Sequence, residues 1–276
     1  MTWLLGTFTT FVLYTIWGIT TLFLAYIGLW LLFASRKKPR HDKDWKDYQT
    51  KESVLTISED EKEITALEVH DWKYSIGQDP VEQYTDITFK LEDIKKMYFI
   101  IVPFRWRPLA HTFLMFTLTD GRSIGLSVEA RRHGDTQQGF WWSRGVFRNH
   151  ELYYRWGTER DLVGRRTIYM SRALYKIPLK ISEEFIERLF LVMVKESELL
   201  RETPRFYNTV ATNCFTEIMR MMFKVDKKVL PGLALGHFFP GMSDKMLLRM
   251  GLIDSDLDDI KSTRRSFRID PLIKSK

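Results

Sequence analysis

The N-terminal segment constrains this chain most, because no charged side chain occurs between Thr2 and Ser35. The run is almost entirely apolar, and a helix needs about 20 such residues to cross a bilayer core. It is long enough to span once with some tilt and too short to cross twice. No positive charge precedes it and no Ala-x-Ala-like cleavage site closes it. We therefore predict a retained transmembrane anchor over residues 1–35, and not a cleaved signal peptide.

The side of the membrane on which the remaining chain lies is harder to predict. Residues 36–40 (Arg-Lys-Lys-Pro-Arg) follow the apolar run directly, and the positive-inside rule would place everything after them in the cytoplasm. The same cluster can instead rest on anionic headgroups of the outer leaflet. Charge alone leaves both orientations open.

Composition indicates a folded domain behind a basic and polar linker over residues 36–50, since 45% of the residues are hydrophobic and 28% are charged. The net charge of +7 permits nucleic acid or anionic lipid as a partner. The arginines are scattered among apolar residues, so we expect no nucleic acid. The single cysteine excludes an internal disulfide and CxxC motifs. His133 and His150 lack the spacing of metal ligands and are expected to face solvent, and we expect no metal and no cofactor.

The hydrophobic pattern between residues 51 and 254 predicts an α+β domain. Apolar runs predict strands over residues 53–57, 63–69, 86–91, 98–104 and 151–156. Asp120-Gly121 between two alternating runs predicts a hairpin. Ser182 followed by two glutamates predicts the start of a helix that ends before Pro204. Residues 255–276 are charged, and we expect them to be a weakly ordered tail.

The only cysteine, Cys214, lies where polar, turn-prone residues give way to an apolar helical pattern. Asn213 is a good N-cap residue, which places Cys214 in the first helical turn. The free N–H groups and the positive end of the helix dipole favour a thiolate there, and the thiolate is the nucleophilic form. Cys214 is therefore either a catalytic nucleophile or a small buried apolar residue, as free cysteines commonly are.

The predicted hairpin carries the second group of interest, because His111 stands at the entry of one strand and Glu129 near the exit of the other. With a two-residue loop the numbers of paired residues sum to 241, and Glu129 points away from His111. With a three-residue loop (Thr119–Gly121) the sum is 240, and the Glu129 carboxylate can orient the imidazole. The alternatives are a hydrogen-bonded histidine at a strand end and a surface ion pair between Glu129 and a neighbouring arginine.

Several motifs in this order resemble one bacterial domain family. They are Ala110–Leu114 with Asp120-Gly121, Ser127–Arg132, Glu151–Tyr153, Glu159–Leu162, Phe206–Asn208 with Thr212–Cys214, Pro240–Asp244 and Gly251–Asp254. The family includes the N-terminal periplasmic domain of the lipoprotein N-acyltransferases and many relatives of unassigned function. The likeness covers residues 41–254. The acyltransferases themselves carry further transmembrane helices after this domain, and we expect none here.

The resemblance implies an essential histidine and cysteine, which fall on His111 and Cys214, in an exported domain whose cysteine accepts an acyl group. The order of histidine before cysteine, with Asn213-Cys214 at a helix start, also resembles the permuted papain-like (NlpC-like) folds. This second resemblance implies such a fold over residues 51–254, with an antiparallel sheet and a helix that begins at the cysteine. We follow the family in placing the domain in the periplasm, against the charge rule, and we predict a single-pass inner-membrane protein. Glu129 is expected to orient His111, with Asn213 or Tyr207 as substitutes.

Three functions are consistent with this sequence. The first is a membrane-anchored thiol acyltransferase or hydrolase that forms a thioester on Cys214 from a membrane lipid or lipoprotein. The anchor, the basic cluster and an aromatic patch at Trp141-Trp142 favour it. The second is a peptidoglycan amidase or peptidase of NlpC type, which predicts a polar, open cleft. The third is a non-catalytic envelope assembly module that retains the fold. The sequence predicts no particular protein partner.

Overall fold

The computed structural model describes residues 2–105, 108–133, 145–227, 239–254 and 259–271. Helix α1 covers Thr2–Leu29 and continues as one π-helical turn over Trp30–Ala34. The stretch Thr10–Ala34 has a mean hydropathy of 1.9, so by length and composition it can cross a membrane. Its large apolar side chains point outward, as Trp17 does with 74% of its surface exposed.

Nine strands of the described residues form one sheet. In chain order they are β1 Val54–Ile57, β2 Glu63–His70, β3 Tyr84–Lys90, β4 Ile94–Pro103, β5 Ala110–Leu118, β6 Ser123–Arg131, β7 Glu151–Thr158, β8 Leu174–Pro178 and β9 Arg268–Ile269. Their spatial order is β1-β2-β7-β6-β5-β4-β8-β9, and β3 also pairs with β2. The pairing is antiparallel except for the short contact between β2 and β7. The predicted strands are all present, with shifted ends.

The helices that follow the anchor are α2 Glu159–Gly164, α3 Glu183–Glu202, α4 Cys214–Val225, α5 Ser243–Arg249 and α6 Ile260–Ser266. Helix α3 begins as predicted, because the Ser182 side chain accepts the N–H of Phe185 and two glutamates lie in its first turn. Together with the sheet, these helices confirm the predicted α+β class.

Alternation along β5 separates the two faces of the sheet. Leu114 and Phe116 point into the main hydrophobic core, which helices α3 and α4 cover, and we call this side the helix face. Phe113 and Met115 point to the other side, the back face, where they meet a smaller apolar cluster. Helix α2 packs on the back face, and so does the linker through Tyr48 and Gln49.

The β5–β6 hairpin adopts the three-residue-loop register. Phe113 pairs with Ser127, so the numbers of paired residues sum to 240. Gly121 has a φ of +85°, a backbone conformation in which a residue with a side chain would be strained. The predicted hairpin is confirmed, and this register places Glu129 across from His111 on the same face.

Two sequence-based expectations are wrong. His150 does not face solvent: it is 1% exposed, and its carbonyl accepts the backbone N–H of Tyr207 at 3.0 Å. Residues 259–271 are not a weakly ordered tail, because they form α6 and β9. Strand β9 pairs with β8, and the Arg264 guanidinium binds the buried carboxylate of Asp244. This segment therefore extends one end of the sheet.

A buried ion pair ties α2 to the back face of β7. The side chains of Arg155 and Asp161 have no exposed surface, and Arg155 Nη2 lies 2.8 Å from Asp161 Oδ1. The Tyr74 hydroxyl donates to the same oxygen at 2.8 Å. Burial alone would raise the pKa of Asp161, but the charge and hydrogen bonds of Arg155 outweigh it and hold that pKa below its ordinary value. The carboxylate is therefore ionised inside the protein.

Replacing Asp161 by asparagine leaves the Arg155 guanidinium buried without its counter-charge. Breaking a buried pair in this way costs about 3–5 kcal/mol. We therefore expect Asp161→Asn to lower the free energy of unfolding by that amount in urea titrations of the detergent-solubilised protein. Asp120→Asn is the matched control, because Asp120 pairs with Arg122 on the exposed hairpin and should cost less than about 1 kcal/mol. Equal losses in the two variants would contradict this interpretation.

Candidate functional site

Helix α4 begins at Cys214 because Asn213 caps it. Asn213 Oδ1 accepts the backbone N–H groups of Phe215 at 2.9 Å and Thr216 at 3.0 Å, and the Thr216 hydroxyl accepts the N–H of Asn213 at 2.8 Å. These reciprocal bonds form a capping box. The Asn213 amide also donates to the Thr209 carbonyl at 3.0 Å. The predicted N-cap is confirmed, and these bonds hold Asn213 at the helix start, not beside His111.

The Cys214 sulfur lies against the backbone of β5. Its Sγ atom is 3.9 Å from the Ala110 carbonyl oxygen, and the backbone of Thr112 also hydrogen-bonds to it. Even-numbered residues of β5 direct their backbone groups toward β6, as the bond from the Leu118 N–H across the hairpin shows. The pairing with β6 stops at Phe113, however, so the two strands diverge beyond it. The sulfur occupies the gap that this divergence leaves.

The thiol is protonated in this arrangement. Cys214 is 4% exposed, and burial raises the pKa of its thiol above the ordinary value. Hydrogen bonds from Thr112 and from the backbone at the helix start act in the opposite direction but do not outweigh burial. The expectation of an easily ionised thiol, drawn from its position at a helix start, is therefore wrong for this state of the protein.

The imidazole of His111 lies on the back face of β5. Its ring centroid is 5.8 Å from that of Phe113, and its Nε2 atom is 2.8 Å from Ser127 Oγ. The hydrogen-bond partners of the Cys214 sulfur are instead the Ala110 carbonyl and Thr112. The sulfur therefore contacts β5 on the helix face, whereas the imidazole extends from β5 to the back face. No hydrogen bond joins these two described side chains.

The surrounding hydrogen bonds assign the tautomer of His111. The Ser127 hydroxyl donates to Glu129 Oε1 at 3.0 Å, so its oxygen accepts the Nε2–H of the imidazole. Arg166 Nη2 donates to Ser127 Oγ at 3.3 Å and to Glu129 Oε1 at 2.8 Å. The other ring nitrogen, Nδ1, therefore carries the lone pair and is the basic atom. Glu129 reaches His111 through Ser127, and sequence reasoning did not assign a role to that serine.

Burial and charge set the ionisation of these groups. Burial, and then the charge of Arg166, lower the pKa of His111 to about 3, so the ring is neutral at physiological pH. Burial alone would raise the pKa of Glu129, but the guanidinium groups of Arg166 and Arg155 outweigh it and hold that pKa well below its usual range. The site thus contains a neutral thiol, a neutral imidazole and an ionised carboxylate.

Tyr207 lies next to the thiol on the helix face. It is 7% exposed, and burial raises the pKa of its hydroxyl well above the usual value. The backbone of Cys214 hydrogen-bonds to that hydroxyl. A Cβ atom added to Gly145 would lie 3.3 Å from Tyr207 Cδ1 and 2.3 Å from Thr209 Oγ1. The chain around Gly145 is therefore packed tightly against the segment that precedes the cysteine.

The apolar N-terminal helix ends beside this same region. The ring centroids of Tyr26 and Phe147 are 5.9 Å apart. The Arg148 guanidinium lies 4.7 Å from the ring centroid of Trp30 and 5.7 Å from that of Phe206. Phe206 is followed in the chain by Tyr207, which lies beside the thiol. The end of the N-terminal helix is therefore held close to the candidate site.

Other predicted features of the site concern metals and aromatic side chains. Within the described ranges, no three His, Cys, Asp or Glu side chains gather in a way that would hold a metal ion. The predicted aromatic patch at Trp141-Trp142 lies outside the described residues.

A raised pKa of the Cys214 thiol has a direct consequence for alkylation, because iodoacetamide reacts with the thiolate. We expect the alkylation rate of the native protein to rise with pH around a midpoint above about 8.5, the value of an ordinary cysteine. In urea the midpoint should return to that ordinary value. The reaction is followed by mass spectrometry of intact protein, and a native midpoint below the urea midpoint would contradict the assignment.

Sequence comparison supplies the family. The family described as Lnb N-terminal periplasmic domain matches residues 81–237, more than half of the chain. The matched range contains both His111 and Cys214. No curated protein and no solved structure matches this chain. A periplasmic domain behind one apolar N-terminal helix fits a single-pass membrane protein. The chain belongs to the family of Lnb N-terminal periplasmic domains.

Proposed function

We propose that this protein is a membrane-anchored thiol acyltransferase or hydrolase that forms a thioester on Cys214. The observation that carries the proposal is the position of the sulfur at the start of α4, in the gap between β5 and β6. The sulfur contacts the Ala110 carbonyl, and the next residue is His111. The hydrogen bond of His111 with Ser127 leaves Nδ1 as the basic nitrogen of the imidazole. A cysteine at a helix start beside a strand that bears an oriented histidine fits a permuted papain-like domain, and we extend the proposal to that fold.

The first step of the proposed reaction moves a proton. His111 Nδ1 takes the proton of the Cys214 thiol, and Ser127 with the Glu129 carboxylate stabilises the imidazolium that forms. In the resting site the pKa of the thiol is raised and that of the imidazole is lowered, so the neutral pair is favoured. The transfer therefore belongs to the substrate-bound state, in which the sulfur leaves the Ala110 carbonyl and meets the imidazole. Hydrogen bonds of catalytic groups commonly tighten only when substrate binds.

The second step forms the thioester. The thiolate attacks the carbonyl carbon of an ester, the C–S bond forms, and the bond to the leaving oxygen breaks as the His111 imidazolium returns its proton to that oxygen. The backbone N–H of Cys214, which here hydrogen-bonds to the Tyr207 hydroxyl, is placed to donate to the oxyanion. An amine, a hydroxyl group or water then attacks the thioester carbon and the C–S bond breaks. The acyl group passes to that nucleophile, whose proton returns to the Cys214 sulfur through His111.

Contacts between the anchor and the domain support a substrate carried by the membrane. Besides the aromatic contacts of the anchor, Lys37 Nζ donates to the Phe147 carbonyl at 3.1 Å and to the Asn149 side chain. A lysine of the basic cluster is thus used to hold the domain against its anchor, and this role does not require the cytoplasm. On this basis and on the family we propose the inner membrane, with the domain facing the periplasm.

A second candidate function is a non-catalytic envelope module. The observation that favours it is the buried, protonated thiol, which does not contact the imidazole in the resting structure. Such a module would need the fold and the anchor but not the reactivity of Cys214.

Acyl labelling separates these functions. Incubation with a phospholipid that is radiolabelled in its acyl chains should give a hydroxylamine-sensitive label on Cys214, and Cys214→Ala should abolish it. His111→Gln should slow labelling by roughly 10²–10⁴-fold, the usual contribution of a general base. His41→Gln, at an exposed histidine outside the site, is the control and should label normally.

Two other results would overturn the acyl-transfer proposal. An unlabelled native protein together with normal cellular activity of Cys214→Ala would favour the non-catalytic module. Cleavage of peptidoglycan peptides that depends on Cys214, without any lipid label, would favour the amidase.

A further inference from the structure

The back face carries more positive charge than its described carboxylates balance. Three of its arginines each bind a carboxylate, in the pairs Arg131–Glu52, Arg155–Asp161 and Arg166–Glu129. Arg132 and Arg165 differ from them, because neither guanidinium has a hydrogen bond or a carboxylate partner in the described part of the chain. Arg165 is nevertheless 8% exposed. A guanidinium that is buried to this extent is usually paired.

Both unpaired arginines lie against the ring of Tyr48. The Cζ atom of Arg165 is 3.6 Å from the ring centroid, and that of Arg132 is 5.2 Å from it. The Tyr48 hydroxyl is buried and has no hydrogen-bond partner among the described residues. Burial and the charge of Arg165 lower the pKa of Arg132, as expected for two cations held close together. We call these three side chains the Tyr48 cluster.

The Tyr48 cluster adjoins the proposed reaction centre. Arg165 is followed directly by Arg166, which donates to Ser127 and Glu129 beside His111. The charge of Arg165 also contributes to lowering the pKa of His111 and of Glu129. Tyr48 itself belongs to the linker that leads from the membrane anchor to the domain. A ligand bound at this cluster would therefore lie on the back face of the sheet, on the same side as the imidazole.

We propose that Arg132, Arg165 and Tyr48 bind a phosphate group that belongs to a glycerophospholipid, and that this lipid is the acyl donor. Guanidinium groups bind phosphate oxygens through paired, charge-assisted hydrogen bonds, and the orphaned hydroxyl supplies a further donor. A phosphate would balance the two surplus cations. The role of the lipid as acyl donor rests on the proposed function, whereas binding of the phosphate does not.

Occupation of the cluster would also affect the base. Part of the lowering of the His111 pKa comes from the neighbouring guanidinium groups. A bound phosphate offsets their charge, so His111 becomes a stronger base when the lipid is present. Substrate binding and proton transfer would thus be coupled through charge.

Binding is tested in the full-length Cys214→Ala protein in detergent, so that no reaction is needed. The probes are dihexanoyl phosphatidylglycerol, dihexanoylglycerol, which lacks the phosphate, and inorganic phosphate. Calorimetry should detect the phosphatidylglycerol and show much weaker binding of the diacylglycerol. Arg165→Met and Arg132→Met should each weaken binding of the phosphatidylglycerol roughly tenfold or more, the usual effect of losing a hydrogen bond to a charged group. Arg249→Met, at an exposed arginine of α5, is the control and should bind like the parent.

Thermal unfolding distinguishes a loss of binding from a loss of stability in the arginine variants. Arg165 has no hydrogen bond or carboxylate partner among the described residues and lies close to the like charge of Arg132. Arg165→Met should therefore not lower the Tm of the unliganded protein, and inorganic phosphate should raise the Tm of the parent but not of this variant. Unchanged binding of phosphatidylglycerol by both arginine variants would overturn the proposal. Arginine-dependent binding of inorganic phosphate without binding of the lipid would overturn the lipid as the source of the phosphate. A failure of acyl labelling with intact, arginine-dependent lipid binding would count against the proposed enzyme and not against this site.

Discussion

The divergence of β5 from β6 determines the arrangement of this molecule around its only cysteine. Where the pairing stops, the Ala110 carbonyl and the Thr112 backbone lose their partner strand and meet the Cys214 sulfur instead. Buried backbone groups need such partners. The contact positions the first turn of α4 against β5 on the helix face. Alternation along β5 then places His111 on the back face. The separation of thiol and imidazole in the resting state thus follows from strand geometry.

The two faces of the sheet are built differently. The helix face is filled mainly by apolar side chains of α3 and α4, with one ion cluster in which Arg220 pairs with Glu196 and Glu217. The back face holds a buried layer of arginines and carboxylates next to a smaller apolar cluster. Burying charges is costly unless they are paired, and an apolar layer would often be at least as stable. A charged layer beside His111 is therefore more readily explained by function than by stability. It orients the imidazole through Ser127 and, in our proposal, leaves two cations for a phosphate.

Local sequence signals predicted much of the fold. The uncharged run identifies the apolar N-terminal helix, Asp120-Gly121 identifies the hairpin, and Asn213 identifies the start of α4. These features depend on residues that are close in the chain, where turn, cap and hydropathy preferences act. The choice between two hairpin registers stayed open, because an Asp-Gly pair is compatible with loops of either length.

The features that the sequence did not predict depend on tertiary contacts. Arg165 and Arg166 look like surface charges in a polar segment. Only the packing of α2, and of the π-helical turn Arg165–Tyr169 that follows it, buries them. The direction of the Cys214 pKa shift follows from burial, which a helix-start argument omits. Ser127 lies two positions before Glu129 on the same strand face. Strand alternation, together with the three-residue-loop register, could have identified it. The fold of residues 259–271 depends on the pairing of β9 with β8, which no local sequence pattern predicts.

The most direct test of the central claim is the protonation state of His111. Nitrogen NMR of the histidine-labelled protein reports which ring nitrogen carries the proton and at what pH the ring titrates. The hydrogen bonds through Ser127 predict a neutral ring with the proton on Nε2, and a pKa of about 3 predicts no titration between pH 8 and pH 5. A proton on Nδ1, or a ring that titrates near its ordinary pKa of about 6.5, would contradict the arrangement on which the proposed chemistry depends.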